Sequence, residues 1–286
     1  MNFKKTGLFI ITLFIYYNIK SQIVTEKKYI DTSAILNRVT MLYTPGYLEI
    51  KKQLEEKYRN MDPGRFGEFN NGSLQELDTD EKLIAFTFDA CVGAMNTYNA
   101  GLINLLRKEG VPATLFVGGS WITCNADIFQ ELAKDTLFEI ENHGLLHRVC
   151  SVNGRSVYGV WSTRNIGDVV DEIELNARRI ERLTGRRPLF FRSSTAFCDE
   201  VSVKIAHDLG MNVVSYSVLS EDAIPFKSAG GIIKNILSNV VPGSIVIMHF
   251  NHPLWNEEEA MKIIIPLLRK EGYRFVKLKD CQLKKK

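Results

Sequence analysis

The sequence predicts an α/β fold built on a parallel sheet or barrel, and three of its features carry that expectation. Short apolar runs rich in β-branched and aromatic residues alternate with amphipathic stretches between residues 83 and 278, the pattern of successive strand and helix units. The first run, Leu83-Ile84-Ala85-Phe86-Thr87-Phe88, is continuously apolar apart from Thr87, which suits a strand covered on both faces. Several runs stop abruptly at a polar residue, and the carboxyl ends of strands are where such folds collect their chemistry. With 286 residues, 45% hydrophobic and 24% charged, one large domain with an extension is expected, and wholesale disorder is not.

Residues 1–21 read as a secretory signal peptide: Lys4 and Lys5 precede an apolar run from Leu8 to Tyr17, and Ser21 offers a small residue for cleavage. The run falls short of the roughly 18 apolar residues of a spanning helix. The mature protein is therefore expected to be exported, periplasmic or extracellular, with no stable membrane span; an uncleaved anchor is the alternative. Residues 22–80 form an extension expected to pack on the main domain. Its helix covers residues 47–59, with Leu48, Ile50 and Leu54 spaced along it, and Asp62-Pro63-Gly64 and Asn70-Asn71-Gly72-Ser73 are turn signals.

The main domain, residues 81–280, opens on the strand that ends at Asp89. An amphipathic helix over residues 97–108 stops at Gly110. Strands follow at residues 113–117 and 137–140, the second running into Glu141-Asn142-His143, with a helix near residues 127–134 between them. A long helix is expected over residues 167–183, with Val169, Ile173, Ala177, Ile180 and Leu183 on one face. After it come a strand at 189–191, a helix near 200–209, one strand over 212–218, a helix near 232–237 and a strand at 244–248. Asn256 reads as the cap of the last helix, with Glu257, Glu258 and Glu259 in its positive first turn, and residues 275–278 form the closing strand.

Residues 281–286 are a basic tail, expected to be solvated. The net charge of +3, with no basic stripe interleaved with aromatics, points to no nucleic-acid partner. Oligomeric state is not legible. The five cysteines are too widely spaced for a zinc-finger pattern and read as small buried residues or a disulfide, with Cys91 and Cys198 the two of chemical interest.

Four strand ends carry polar residues without a core role: Asp89, the pair His143 and His147, Arg192, and His249. The i, i+4 spacing of the histidines would set two imidazoles on one side of a helical turn, where a zinc ion is gripped.

In these residues the sequence resembles the polysaccharide deacetylases with a NodB homology domain, carbohydrate esterase family four, over roughly residues 80–280. Thr87-Phe88-Asp89-Ala90 is similar to the family's Thr-Phe-Asp-Asp, His143 and His147 match its His-x-x-x-His, Phe191-Arg192 its arginine motif, and Ile247-Met248-His249 its Leu-x-His. Ser193-Ser194-Thr195-Ala196 departs from the proline-containing groove wall, and the fourth motif is barely recognisable between Ser217 and Asp222. The variant Asp89-Ala90-Cys91 with Asn251-His252-Pro253 resembles a branch of the family. The resemblance implies an irregular (β/α) barrel of mostly parallel strands and an acetylated glycan as substrate. It also implies Asp89 as base, Arg192 as its orienting partner, His249 as general acid, and His143 and His147 as ligands of a divalent metal, zinc by preference. Ala90 stands where the family has a further carboxylate ligand. Cys91 and Asp199 are other conceivable donors, Asp199 reading more simply as a helix cap. The expected function is removal of acetyl groups from an N- or O-acetylated polysaccharide or peptidoglycan. The alternatives are glycan binding without turnover and metal-independent amide hydrolysis by Asp89, Arg192 and His249.

Overall fold

The computed structural model describes residues 42–91 and 97–285; the signal peptide expected at residues 1–21 lies outside them. A helix α1 (Pro45–Tyr58) starts the described chain. Thr44 caps it by accepting the Tyr47 N–H, and Pro45 sits in the first turn, where its missing donor costs nothing. Two short strands follow, β1 (Phe66–Gly67) and β2 (Glu76–Leu77).

The body then alternates as expected: β3 (Leu83–Ala90), α2 (Ala100–Glu109), β4 (Ala113–Val117), α3 (Gly119–Cys124), α4 (Ala126–Lys134) and β5 (Phe138–Asn142). The long helix runs as α5 (Ile166–Val170), a π-helical turn (Asp171–Leu175) and α6 (Asn176–Thr184). After it come β6 (Phe190–Phe191), β7 (Cys198–Asp199), α7 (Glu200–Asp208), β8 (Asn212–Val213), β9 (Val218–Leu219), α8 (Ala229–Asn239), β10 (Ser244–His249), α9 (Glu257–Lys270), β11 (Arg274–Phe275) and β12 (Leu283–Lys284). The caps are local chemistry. Asn99 accepts the Leu102 N–H, Asp199 that of Ser202 and Ser228 that of Gly231, while Gly110 ends α2 at φ 58°.

The main sheet has the order β12-β2-β10-β3-β4-β5-β6-β8, with β11 on β3 and β9 on β10. Its centre is parallel from β10 to β8, and β2 joins β10 antiparallel. It curls into the irregular barrel with helices around it. Side-chain alternation along the strands separates two surfaces. Ile84, Phe86, Phe88, Leu115, Val117, Ile140, Val246 and Met248 pack outward beneath α2, α4, α8 and α9. Ala85, Phe116, Phe190, Ile245 and Ile247 face inward.

Four local expectations change. The strand over residues 212–218 is two strands, because its ends pair with different neighbours, β8 with β6 and β9 with β10. The segment between them crosses the seam of the barrel. The closing strand is shorter, β11 pairing with β3 before a helical turn at Leu278–Asp280. The basic tail is not wholly solvated, since Leu283 and Lys284 pair antiparallel with β2. Asn256 precedes α9 but makes no side-chain cap bond; its Nδ2 donates instead to Lys227 O at 2.8 Å. Among the described residues no helix is long and apolar enough to cross a membrane.

Candidate active site

Inward parity selects the site. Asp89 on β3 follows Ala85 and Thr87, His143 continues the inward face of Glu139 and Glu141 on β5, and His249 ends the inward face of Ile245 and Ile247 on β10. Asp89 and His249 stand opposite each other in the parallel register of β3 and β10. Ala90 has the other parity and is fully buried in the outer apolar cluster with Phe86 and Phe88.

Arg192, one residue beyond β6, is fully buried and organises this end of the barrel. Its Nη1 donates to Asp89 Oδ1 at 2.7 Å and to Thr87 Oγ1 at 2.9 Å, and its Nη2 donates to Ser215 O at 2.9 Å. Its Nε reaches Val214 O at 3.3 Å, and the guanidinium lies 4.2 Å from the centroid of the Phe116 ring. The N–H groups of Val214 and Ser215 pair with Phe191 O and Leu74 O, while their carbonyls turn to the guanidinium. A planar fork satisfied on every side suits arginine and not lysine. Burial by itself would raise the Asp89 carboxyl; the Arg192 guanidinium, then His143 and His249, outweigh it and hold Asp89 below the usual carboxylate range.

His143 and His147 do come together, with ring centroids 5.1 Å apart, but not on a helical turn. His143 follows β5 directly and His147 sits in a loop at φ 57°, a left-handed conformation unfavourable for a residue with a Cβ. The Nδ1 of His143 lies 2.9 Å from Arg192 O. With the proton there, Nε2 keeps its lone pair and faces Asp89 Oδ2 at 3.8 Å. Burial lowers the proton affinity of both rings, His147 to about 3, where the charge of His143 adds to it. Neutral imidazoles, one braced by an outer hydrogen bond, are suitable ligands for a zinc-class ion. Among the described residues no three His, Cys, Asp or Glu side chains already stand together at ligand spacing. The His147 ring is turned to Ser194 Oγ, 3.1 Å from its Nε2. The donors fit a divalent ion in kind; position 90 adds nothing.

His249 is paired with Asp222, a residue that sequence reading left inside a poorly recognisable motif. Asp222 Oδ1 lies 3.1 Å from His249 Nδ1, and its Oδ2 accepts the His249 backbone N–H at 2.6 Å. Ser220 Oγ donates to Asp222 at 2.8 Å. The Ser-x-Asp spacing is a turn signal, and that is all the sequence offered. Burial pushes the imidazole down, but Asp222, by charge and hydrogen bond, and then Asp89 carry it up to about 9. Trp255 packs edge-on against His249 and stacks on His252. Thr87 and Ser194 stand in the quoted motifs, but nothing local marks their hydroxyls as partners of Arg192 and His147.

The other nominated residues lie elsewhere. Asp199 caps α7, its Oδ1 accepting Ser202 N–H at 2.8 Å. Cys198 is a buried thiol bridged to Cys150 through the backbone, and burial raises it to about 12. Cys91 lies against Asn251, with Nδ2 to Sγ 3.7 Å.

Residues 76–214 match the family model described as polysaccharide deacetylase. A peptidoglycan-N-acetylglucosamine deacetylase of Bacillus cereus is 26% identical over 208 residues, covering 72% of this chain and 90% of the relative. The crystal structure of the Bc1960 peptidoglycan N-acetylglucosamine deacetylase superposes with a TM-score of 0.63 at 25% identity, covering 74% of this chain and 92% of the other. BA3943, a CE4 family pseudoenzyme from Bacillus anthracis, shares the fold at a TM-score of 0.64 and 20% identity, over 82% and 80% of the two chains. With this fold and these matches, the chain belongs to the polysaccharide deacetylase family, the NodB-type domains of carbohydrate esterase family four.

Proposed function

We propose that the protein is an exported hydrolase that removes acetyl groups from a carbohydrate, an N- or O-acetylated polysaccharide or peptidoglycan. One observation carries the proposal. Asp89, held ionised, and His249, held protonated, face each other in register on adjacent strands. Two groups whose environments push their proton affinities apart are an assigned base and an assigned acid.

Asp89 Oδ1 is engaged by Arg192, which leaves Oδ2 to take a proton from the attacking water. His249, anchored through Nδ1 on Asp222, gives its Nε2 proton to the leaving amine or alkoxide. A divalent ion held by His143 and His147, zinc by the nature of the donors, would supply Lewis acidity to the acetyl carbonyl and to water.

Acetate release from acetylated glycans tests this. Wild type should release it, and Asp89→Asn should not while keeping its fold; unchanged release would remove Asp89 from the chemistry. Purified protein should hold near-stoichiometric zinc, lost in His143→Ala. A metal-free protein that still releases acetate would leave hydrolysis to Asp89, Arg192 and His249 alone. Edman sequencing of the exported protein should start near Gln22.

Ala90 favours a second reading, glycan binding without turnover, because it leaves the histidine pair one carboxylate short. A wild type that binds an acetylated glycan but releases no acetate would establish it.

A further inference from the structure

The helix that runs from α5 to α6 is interrupted where it passes the histidine loop. The π-helical turn Asp171–Leu175 breaks the regular ladder, and such turns are frequent at functional sites. The group delivered here is Glu172, which is 1% exposed. Its Oε1 accepts the N–H groups of Leu146 at 2.9 Å and Arg148 at 3.0 Å, the two residues flanking His147. Its backbone carbonyl accepts the Leu145 N–H at 2.9 Å. The neighbouring Ile173 carbonyl accepts Asn142 Nδ2 at 2.8 Å, and Asn142 Oδ1 in turn accepts the Gly144 N–H at 3.0 Å. The amides around both histidines are thus tied, directly or through Asn142, to one turn of helix.

Carboxylate and loop are also shaped to each other. Gly144 has φ +82°, and a Cβ there would stand 2.5 Å from Glu172 Oε1. His147 at φ 57° holds a conformation that costs roughly 1–2 kcal/mol for a residue with a Cβ. An acceptor that grips the amides on both sides of it supplies the compensation, and its removal would leave two part-buried donors unsatisfied.

We infer that Glu172 is a positioning residue for the histidine pair, its carboxylate clasping the loop so that the His143 and His147 rings stand where one metal ion takes both. This rests on the proposed assignment of the two histidines as ligands. It adds that their geometry is set from the π turn and not by the i, i+4 spacing.

The experiment compares Glu172→Ala and Glu172→Gln with wild type and with Asp171→Asn, a change in the same π turn whose bonds go to Tyr47 and Lys51. Two quantities are read: the Zn²⁺ affinity of the folded protein by chelator competition, and amide hydrogen exchange of the metal-free protein. Glu172→Ala should bind Zn²⁺ at least about tenfold more weakly. Glu172→Gln, whose amide oxygen can occupy the place of Oε1, should stay close to wild type, and Asp171→Asn should lose stability without losing affinity. In Glu172→Ala the Leu146 and Arg148 amides should lose protection while Gly144 keeps it. Equal Zn²⁺ affinity in folded Glu172→Ala and wild type would overturn the inference, as would unchanged protection at Leu146 and Arg148. If Glu172→Ala does not fold, Glu172→Asp, one methylene too short to reach the loop, takes its place with the same expectations. A wild type that binds no Zn²⁺ would defeat the ligand assignment and the metal half of the inference with it, and amide exchange would still decide whether Glu172 holds the loop.

Discussion

Replacing Asp222 with asparagine should weaken the acid while leaving the base in place. The backbone bond from His249 N–H to Asp222 Oδ2, 2.6 Å long, is kept in a weaker, uncharged form, since an amide oxygen also accepts. The lost element is the negative charge beside Nδ1, the chief of the charges (Asp222, then Asp89 and Glu257) that carry the imidazole from its ordinary 6.5 up to about 9 against the effect of burial. Without it the imidazole should fall back to about 6.5 or below, a change of about 2.5 units or roughly 3 kcal/mol. At about pH 7.5 the protonated fraction then drops from about 97% to below about 10%. The protonated form is the acid, so activity is lost as pH rises through its pKa. The alkaline limb of kcat/KM for acetate release should therefore move from about 9 to about 6.5 or lower, with a roughly tenfold loss at about pH 7.5. NMR titration of the His249 ring checks the same shift without turnover. An alkaline limb still near its wild-type position, or an unshifted His249 titration, would refute the assignment of Asp222 as the partner that charges His249.

Arg192→Lys should lower acetate release by about a hundredfold or more and destabilise the fold by roughly 3 kcal/mol, because an ammonium cannot replace the fork between Asp89, Thr87, Val214 O and Ser215 O. Near-wild-type rate and urea midpoint would contradict it. Gly144→Ala, placed at φ +82° against Glu172 Oε1, should cost about 1–3 kcal/mol; calorimetry should show a Tm several degrees lower, and an unchanged Tm would mean that the contact relaxes freely. Glu257 is fully buried, neither carboxylate oxygen finds a side-chain hydrogen-bond partner among the described residues, and burial raises it to about 8. An acid whose folded pKa exceeds its unfolded value loses stability as pH rises from about 4.5 to about 8. Glu257→Gln should thus gain on wild type through that window and exceed it by about 1–3 kcal/mol at about pH 9, and urea unfolding that shows no pH-dependent gap would count against it.

What was legible in the sequence was local. The apolar run into Asp89, the cap at Asp199 and the stop at Gly110 each rest on a few neighbouring residues, and the structure has them all. Asp89, His143, Arg192 and His249 could be nominated because a polar residue at the end of a buried run is conspicuous. Asp222 could not, because a Ser-x-Asp turn looks the same whether or not a histidine faces it. Nor could the split of the strand at residues 214–217, since the apolar pattern does not say that its two halves pair with different strands.

By itself, the sequence determined the alternation of strands and helices, the inward parity of the reactive positions and the family motifs, because strand period and helix period are properties of consecutive residues. Only the tertiary structure decided that Arg192 reaches Asp89 across a separation of 103 residues, that Asp222 charges His249, and that a π turn clasps the histidine loop. Those contacts exist because the sheet curls until Arg192, at the end of β6, reaches the end of β3 from three strands away, while β10 pairs with β3 directly. That closure depends on the whole sheet at once and is written in no single segment.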